Sequence, residues 1–363
     1  MNRSVRALGL LVVVLISGCV TGGTGATGGT GATGGTAPVG AEGYFNRGVA
    51  YAAKGDWDRA IADYTAALEI KPDYAEALNS RGNAYFDGKG DLDRAIADYT
   101  AALAVKPDYY EALSNRGCAY GDKDDYERAM ADFNAALAIK PDYAEALNNR
   151  GVEYDIRGDV DRAIADFTAA LESEPDYTDA LINRGIAYKG KGDVDLAIAD
   201  YTAALAIKPD HYLALYNRGN AYLNTGDADN AIADFTATLK IRPKYYRALY
   251  NRALAYYEKG DYNRAIKDCT AALRIKPDFF AALYNRGVAY YYRGSLNRAI
   301  ADFTAALGIE PDLYQALDNR GSAYYRKGDY DRAIADWEAV LRINPNHAAA
   351  QQKIETARQQ RGH

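Results

Sequence analysis

Small and apolar residues recur along most of the chain with the spacing of an α-helix. In the segment 144–177 two apolar stripes follow each other, each with members at i, i+4 and i+7. The members are Leu147, Gly151 and Tyr154, followed by Ala163, Phe167 and Ala170. Residues with this spacing lie on one face of a helix. The segment therefore predicts two amphipathic helices, called helix A and helix B below.

A proline marks the end of each such unit, and the unit occurs nine times. The prolines stand 34 residues apart, with one interval of 35, at Pro72, Pro107, Pro141, Pro175, Pro209, Pro243, Pro277, Pro311 and Pro345. The repeats run 41–74, 75–109, 110–143, 144–177, 178–211, 212–245, 246–279, 280–313 and 314–347. The extra residue falls near Gly88, where we expect a turn that tolerates insertion. One helix pair cannot bury its apolar side alone, so the repetition predicts a stacked array.

The ends of the helices also carry sequence signals. Gly158 is expected to end helix A and Asp159 to cap helix B, and this pair recurs in seven repeats, with Asp124 and Ser295 as the exceptions. Proline stops helix B, and the Asp that follows it is expected to cap the next helix A. Asp142 and Glu145 have the spacing of a capping box.

The apolar and small positions of the unit resemble the tetratricopeptide-repeat (TPR) pattern. The residues of repeat 144–177 that match it are Leu147, Gly151, Tyr154, Ala163, Phe167, Ala170 and Pro175, at repeat positions 4, 8, 11, 20, 24, 27 and 32. Ala253 replaces the glycine in the seventh repeat, and Arg stands at position 7, where the family usually has an apolar residue. The resemblance implies an all-α, right-handed superhelical solenoid of nine helix-turn-helix repeats over 42–347, followed by a capping helix and tail over 348–363.

Two polar positions recur in every repeat. Arg at position 7 and Asp at position 23, such as Arg150 and Asp166, are either a basic ladder for acidic ligands or an internal bridge. Because both members recur together, we expect the bridge.

Position 6 is Asn in eight of the nine repeats, at Asn46, Asn115, Asn149, Asn183, Asn217, Asn251, Asn285 and Asn319. This row resembles the asparagine ladder in the inner groove of the O-GlcNAc transferase TPR array. An amide can hold an extended peptide backbone, or it can bond only to its own helix or a neighbour. Both interpretations remain open.

In TPR arrays, positions 2, 5, 9, 12 and 13 of helix A face the concave groove, so the resemblance implies a peptide-binding groove here. Its predicted members in the later repeats are Tyr216, Arg247, Tyr250, Tyr257, Tyr284, Tyr291, Tyr292 and Tyr325, together with Asn149, Asn183, Asn217, Asn251 and Asn285. Exposed Tyr and Arg are typical of binding hot spots. The alternative is that Tyr is simply the helix-packing residue of this protein.

Charge and composition argue against several classes of function. The net charge of −6 argues against nucleic acid as a partner. Repeat 144–177 has nine acids and three bases, whereas repeat 246–279 has four acids and seven bases, so the array is bipolar. The three cysteines and three histidines lack metal-ligand spacing, and no nucleophile has a base near it. We therefore expect no metal, no cofactor and no enzymatic activity.

The N-terminus resembles that of a bacterial lipoprotein. Residues 1–18 have a positive start and a short apolar run, and Ile16-Ser17-Gly18-Cys19 resembles the lipobox, which implies lipidation at Cys19. A plain secretory signal or an uncleaved anchor is the alternative. Residues 19–41 then form a Gly/Thr/Ala-rich tether. The expected location is the bacterial cell envelope, on the periplasmic face of the outer membrane in a diderm.

Together these features predict a membrane-anchored scaffold that binds protein or peptide partners. The alternative is a self-associating assembly factor for a secretion or pilus system, and a homodimer is possible in either case.

Overall fold

The computed structural model describes residues 40–361. The predicted signal segment, Cys19 and all but the last two residues of the predicted tether lie outside the described residues. Those last two residues, Gly40 and Ala41, already belong to the first helix. The described chain is helical, without a β-strand in 40–361, and forms two compact units, an N-terminal unit over 40–207 and a C-terminal unit over 208–361.

Each unit consists of successive helix pairs. The N-terminal unit contains α1 (Gly40–Ala52), α2 (Trp57–Ile70), α3 (Ala75–Asn83), α4 (Leu92–Val105), α5 (Tyr110–Gly121), α6 (Tyr126–Ile139), α7 (Ala144–Ile156), α8 (Val160–Ser173), α9 (Thr178–Lys191) and α10 (Val194–Ile207). The C-terminal unit contains α11 (Tyr212–Thr225), α12 (Ala228–Ile241), α13 (Tyr246–Glu258), α14 (Tyr262–Ile275), α15 (Phe280–Tyr292), α16 (Leu296–Ile309), α17 (Tyr314–Arg326), α18 (Tyr330–Ile343) and α19 (Ala348–Arg361). Odd-numbered helices up to α17 are helices A and even-numbered ones are helices B, as the periodicity predicts.

Helix A and helix B of one repeat touch where a glycine faces an aromatic ring. A methyl group added at Gly151 would come within 2.7 Å of the Phe167 ring, and the other glycines at position 8 have the same relation to the ring at position 24. The seventh repeat differs at both positions, because Ala253 faces Cys269 there. The larger residue at position 8 is thus matched by a smaller one at position 24.

The Arg–Asp pairs are internal bridges, as predicted, and do not form a basic ladder. Arg150 donates through Nε and Nη2 to the two carboxylate oxygens of Asp166, each at 2.8 Å. The same two-pronged contact joins positions 7 and 23 in all nine repeats. In seven repeats the remaining nitrogen reaches back to helix B of the preceding repeat, as Arg286 does to Thr270 Oγ1 at 3.1 Å. One guanidinium therefore fixes three helices.

The capping predictions are confirmed for helix B and wrong for helix A. Asp227, for example, accepts a hydrogen bond from the Asn230 amide at 3.1 Å. Helix A instead begins after the residue at position 34, such as Tyr143, which makes no side-chain cap. Asp142 lies one residue too early, in the turn after the proline. Glu145 accepts a hydrogen bond from the Tyr143 hydroxyl, and the predicted capping box does not form.

The extra residue of the second repeat lies in a π-helical segment, Ala84–Lys89, rather than in a simple turn. A widened turn absorbs one residue without interrupting the helix. Gly88 lies against Trp57, so close that an added methyl group would come within 2.3 Å of Trp57 Cγ. The insertion is therefore packed against the first repeat.

The last helix, α19, covers the end of the C-terminal unit. It buries Ala350, Ile354 and Ala357 in one cluster with Trp337 and Val340 of α18. Its Lys353 pairs with Asp318 at 2.6 Å. Among the described helices, none is long and apolar enough to cross a bilayer.

Candidate functional site

The asparagines predicted as an exposed ladder lie between neighbouring A helices. Asn251 donates to Tyr216 Oη at 3.1 Å, and Asn285 donates to Tyr250 Oη at 2.7 Å. The predicted members are all at most 5% exposed, at Asn149, Asn183, Asn217, Asn251 and Asn285. The interpretation as an open ladder is therefore wrong for these side chains, because all five are buried and four of them, Asn149, Asn183, Asn251 and Asn285, donate to the preceding repeat.

Three of the predicted groove tyrosines are likewise part of the packing. Tyr216, Tyr250 and Tyr284 are 1%, 2% and 1% exposed. Their hydroxyls accept from the asparagine of the following repeat. Burial raises the pKa of each phenol, so all three stay protonated. The expectation that these rings are exposed is wrong, because position 5 faces the next helix A.

A pocket of about 230 Å³ nevertheless lies over the outer edge of this packing, in the C-terminal unit. Four predicted groove residues line it: Tyr216, Arg247, Tyr250 and Asn251. The prediction missed the rest of the wall, which comes from the start of α13 and from the turn before α15. Those residues are Tyr246, Lys276, Asp278, Phe279 and Phe280.

Aromatic edges form the wall of this pocket. Phe279 meets Tyr250 edge-on with ring centroids 4.8 Å apart, and meets Tyr246 edge-on at 5.3 Å. Such contacts hold the rings in fixed orientations. Phe279 and Phe280 occupy positions 34 and 1, where the other repeats mostly have Tyr, Ala or Thr, and this aromatic pair was the available sequence signal.

Arg247 supplies the charge of the pocket. Its guanidinium lies 5.7 Å from the centroid of the Tyr246 ring, and its Nε donates to Tyr246 Oη at 3.2 Å. Lys276 Nζ lies 5.6 Å from the same centroid on the loop that follows α14. Within the described chain no carboxylate forms an ion pair with Arg247, unlike the arginines at position 7. The pocket thus offers a half-buried cation without an ion-pair partner, and its wall also contains the Asp278 carboxylate.

The remaining predicted tyrosines form a separate surface. Tyr292 is 50% exposed and stacks on Tyr262 at 5.5 Å, while Tyr257 meets both rings. Tyr291 meets Tyr292 edge-on at 5.6 Å. Tyr262, at the start of α14, was not predicted. We call Tyr257, Tyr262, Tyr291 and Tyr292 the tyrosine cluster.

Tyr325 lies outside that cluster. Its ring packs against Tyr330 at 5.4 Å and against Trp337 at 6.0 Å. The structure therefore divides the predicted groove residues among repeat packing, one pocket, one exposed cluster and this terminal contact.

The described residues hold no group of three His, Cys, Asp or Glu side chains arranged to bind a metal ion. Cys118 and Cys269 are both buried. Burial raises the pKa of the Cys269 thiol to about 12, which leaves it without thiolate character at neutral pH. Both cysteines act as packing residues.

Family models described as tetratricopeptide repeat match most of the described chain. One matches 149–212, 216–278 and 250–314, and others match 48–88, 75–109, 110–143 and 314–347.

Solved structures show the same architecture. A tetratricopeptide repeat protein from Parabacteroides merdae is 24% identical, with a TM-score of 0.50 over 68% of this chain and 98% of that chain. PilW, described as a widely conserved type IV pilus biogenesis factor, is 24% identical, with a TM-score of 0.52 over 56% and 94%. The APC/C hetero-tetramer Cut9–Hcn1 is 17% identical, with a TM-score of 0.53 over 87% and 76%. At these identities the likeness concerns the fold.

The repeat matches and the succession of packed helix pairs show that this chain is an all-α solenoid and belongs to the tetratricopeptide-repeat family.

Proposed function

We propose that this protein is a membrane-anchored scaffold that binds a peptide segment of a partner protein, and that the pocket around Arg247 is a principal contact. The observation that carries the proposal is an Arg247 guanidinium that makes no ion pair within the described chain and lies among aromatic edges. The pocket volume of about 230 Å³ is smaller than a typical small-molecule site of roughly 300–1,000 Å³. It suits one side chain or chain end of a partner.

The chemistry of the wall favours a partner side chain with both apolar and acidic character. Tyr246 and Phe280 offer ring surface, and Arg247 offers donors that a carboxylate would satisfy. Arg and Tyr together in a partly desolvated recess are the residues that contribute most to protein interfaces.

The test is capture of partners from native membranes after brief crosslinking, with identification by mass spectrometry. Arg247→Ala and Phe280→Ala remove pocket contacts, and we expect each to lower recovery of the bound partner by about tenfold or more. Arg274→Ala is the matched control, since Arg274 is an exposed arginine in the same unit. Equal recovery with all three variants would exclude the pocket as the binding site.

Tyr250 and Tyr284 are unsuitable for this experiment. Both rings are almost fully buried and each accepts a hydrogen bond from the next repeat. Truncating either would damage the repeat packing and would confuse loss of binding with loss of fold.

We further propose that the chain is held at a bacterial envelope membrane by lipid on Cys19. The support is the sequence Ile16-Ser17-Gly18-Cys19 after a short apolar run, with the Gly/Thr/Ala-rich segment behind it. Labelling with an alkyne analogue of palmitate is expected to mark the full chain and to fail for Cys19→Ser. Label that survives in Cys19→Ser would refute the anchor.

A further inference from the structure

One residue of the N-terminal unit departs from the repeat in a way that packing alone does not explain. Position 10 is Ala in eight repeats and Glu only at Glu153. After the first repeat those alanines are buried; Ala119 and Ala187, for example, are 0% and 1% exposed and pack against the preceding repeat. Glu153 in α7 takes the place of such an alanine and is itself only 8% exposed.

A second departure, in the preceding repeat, makes room for this carboxylate. Position 12 is Gly only at Gly121, the last residue of α5. A methyl group added at Gly121 would come within 2.4 Å of Glu153 Oε1. The single glycine at position 12 and the single glutamate at position 10 thus fit each other across one repeat interface.

Within the described chain the Glu153 carboxylate makes no hydrogen bond or ion pair. Burial raises its pKa, and Asp122 and Asp124 raise it further, whereas Arg157 on its own helix lowers it. The exposed Arg157 guanidinium lies over the Tyr126 ring at 4.8 Å. A buried carboxylate without a partner is costly, and more so among other carboxylates.

The Asp122 carboxylate adds negative charge next to Glu153. Partial desolvation raises the pKa of Asp122, and Asp87 adds to the effect. Since no three of the described acids are arranged for a metal ion, a single cationic group is the better match.

We propose that the Glu153 carboxylate beside Gly121, a site called the recess below, binds a Lys or Arg side chain of a partner protein. A guanidinium or ammonium group would pair with the Glu153 carboxylate and offset its desolvation. This site lies in the N-terminal unit and does not depend on the pocket around Arg247.

The test uses the full-length chain and a fluorescein-labelled peptide of alternating arginine and alanine. The matched probe replaces arginine with citrulline, which keeps the shape and removes the charge. We expect the arginine peptide to bind at least about tenfold more tightly than the citrulline peptide. That preference should vanish in Glu153→Ala and in Gly121→Ala, and persist in Glu172→Gln, which removes an exposed carboxylate of the same unit.

Thermal stability separates a binding role from a packing role. Glu153→Ala restores the residue found at position 10 of the other repeats, so its melting temperature should rise while arginine-peptide binding falls. Because the folded-state pKa of Glu153 is raised, its cost grows as the pH rises through that pKa. The gain from Glu153→Ala should therefore be present at neutral pH and shrink in acid.

Three results would overturn the proposal. They are equal affinity for the two peptides, unchanged arginine preference in Glu153→Ala, and a lower melting temperature in that variant. If calcium ions raise the melting temperature of the chain but not of Glu153→Ala, and the arginine peptide is not preferred, the recess binds a metal ion instead. None of these outcomes bears on the partner captured through Arg247.

Discussion

At the residue scale, the repeat depends on paired sizes at positions 8 and 24. Glycine at position 8 lets an aromatic ring lie directly against helix A, as Gly151 does with Phe167. In the seventh repeat Ala253 and Cys269 lie in the same cluster, with a larger residue at position 8 and a smaller one at position 24. The two positions therefore form one packing unit, and changing either alone should be costly.

Substitutions at Ala253 and Cys269 test this pairing through the free energy of unfolding. Cys269→Phe should lower the free energy of unfolding by about 1–3 kcal/mol, because the ring meets the Ala253 methyl group. The double variant Ala253→Gly/Cys269→Phe should recover most of that loss, since it recreates the pair of the other repeats. Ala253→Gly alone should destabilise by about 1 kcal/mol. Urea unfolding of the unmodified chain, the two single variants and the double variant measures the coupling between positions 8 and 24. If the two single changes in unfolding free energy simply add up in the double variant, the coupling is absent.

A second residue-scale prediction concerns the turn before α6. Asp124 has φ = 58°, in the left-handed region that glycine adopts at this position in the other repeats. Asp124→Gly should stabilise the chain by about 1 kcal/mol, because a side chain is strained in this conformation. Asp124→Asn, which also loses the charge but tolerates left-handed backbone better than most residues, should give a smaller gain. Equal gains in urea unfolding would show that charge repulsion, rather than backbone strain, is relieved.

At the element scale, the two kinds of helix begin differently. In most repeats helix B starts from an aspartate whose carboxylate accepts a hydrogen bond from a backbone amide, with Ser295 as an exception that makes no side-chain cap. Helix A starts from the residue at position 34, in most repeats without a side-chain cap. Helix A is held instead by the Arg–Asp bridges and by packing on both sides. The aspartate after each proline is thus a turn residue.

Two aspartates of the C-terminal unit test this difference. Asp227→Ala removes the cap of α12 and should lower the free energy of unfolding by about 1 kcal/mol. Asp210→Ala, after Pro209, should change it by less than about 0.5 kcal/mol, because this exposed residue caps no helix. Urea unfolding monitored by circular dichroism compares the two variants. An equal loss of unfolding free energy would show that Asp210 does act as a helix cap.

At the scale of the whole molecule, a repeat covers the apolar side of its neighbour within the same unit, so a terminal repeat needs separate cover. In the C-terminal unit this cover is α19, whose inner face carries Ala350, Ile354 and Ala357. Its outer residues, such as Gln351 and Gln352, are exposed.

Removal of this cover has a predictable result. Ile354→Asp should lower the melting temperature of the chain and increase binding of a dye for exposed apolar surface, because Trp337 and Val340 lose their cover. Gln351→Asp adds the same charge on the exposed face and is the control. A dye signal that is equal in both variants would show that α19 is not needed as a cap.

The sequence by itself determined the helices, their pairing and the family. Those features repeat every 34 residues and rest on local rules of periodicity, helix ends and residue size. It also identified the Arg–Asp bridges, since two opposite charges that recur together in nine repeats indicate a mutual contact.

Only the tertiary structure decided which helix-A residues remain accessible. Each helix A contacts its own helix B and also the next helix A, and this second contact buries Tyr216, Tyr250 and the asparagines at position 6. A single-repeat pattern cannot separate that face from the open one, because both have helical spacing. The pocket at Arg247 and the recess at Glu153 each need residues from neighbouring repeats, so they exist only once the repeats are stacked.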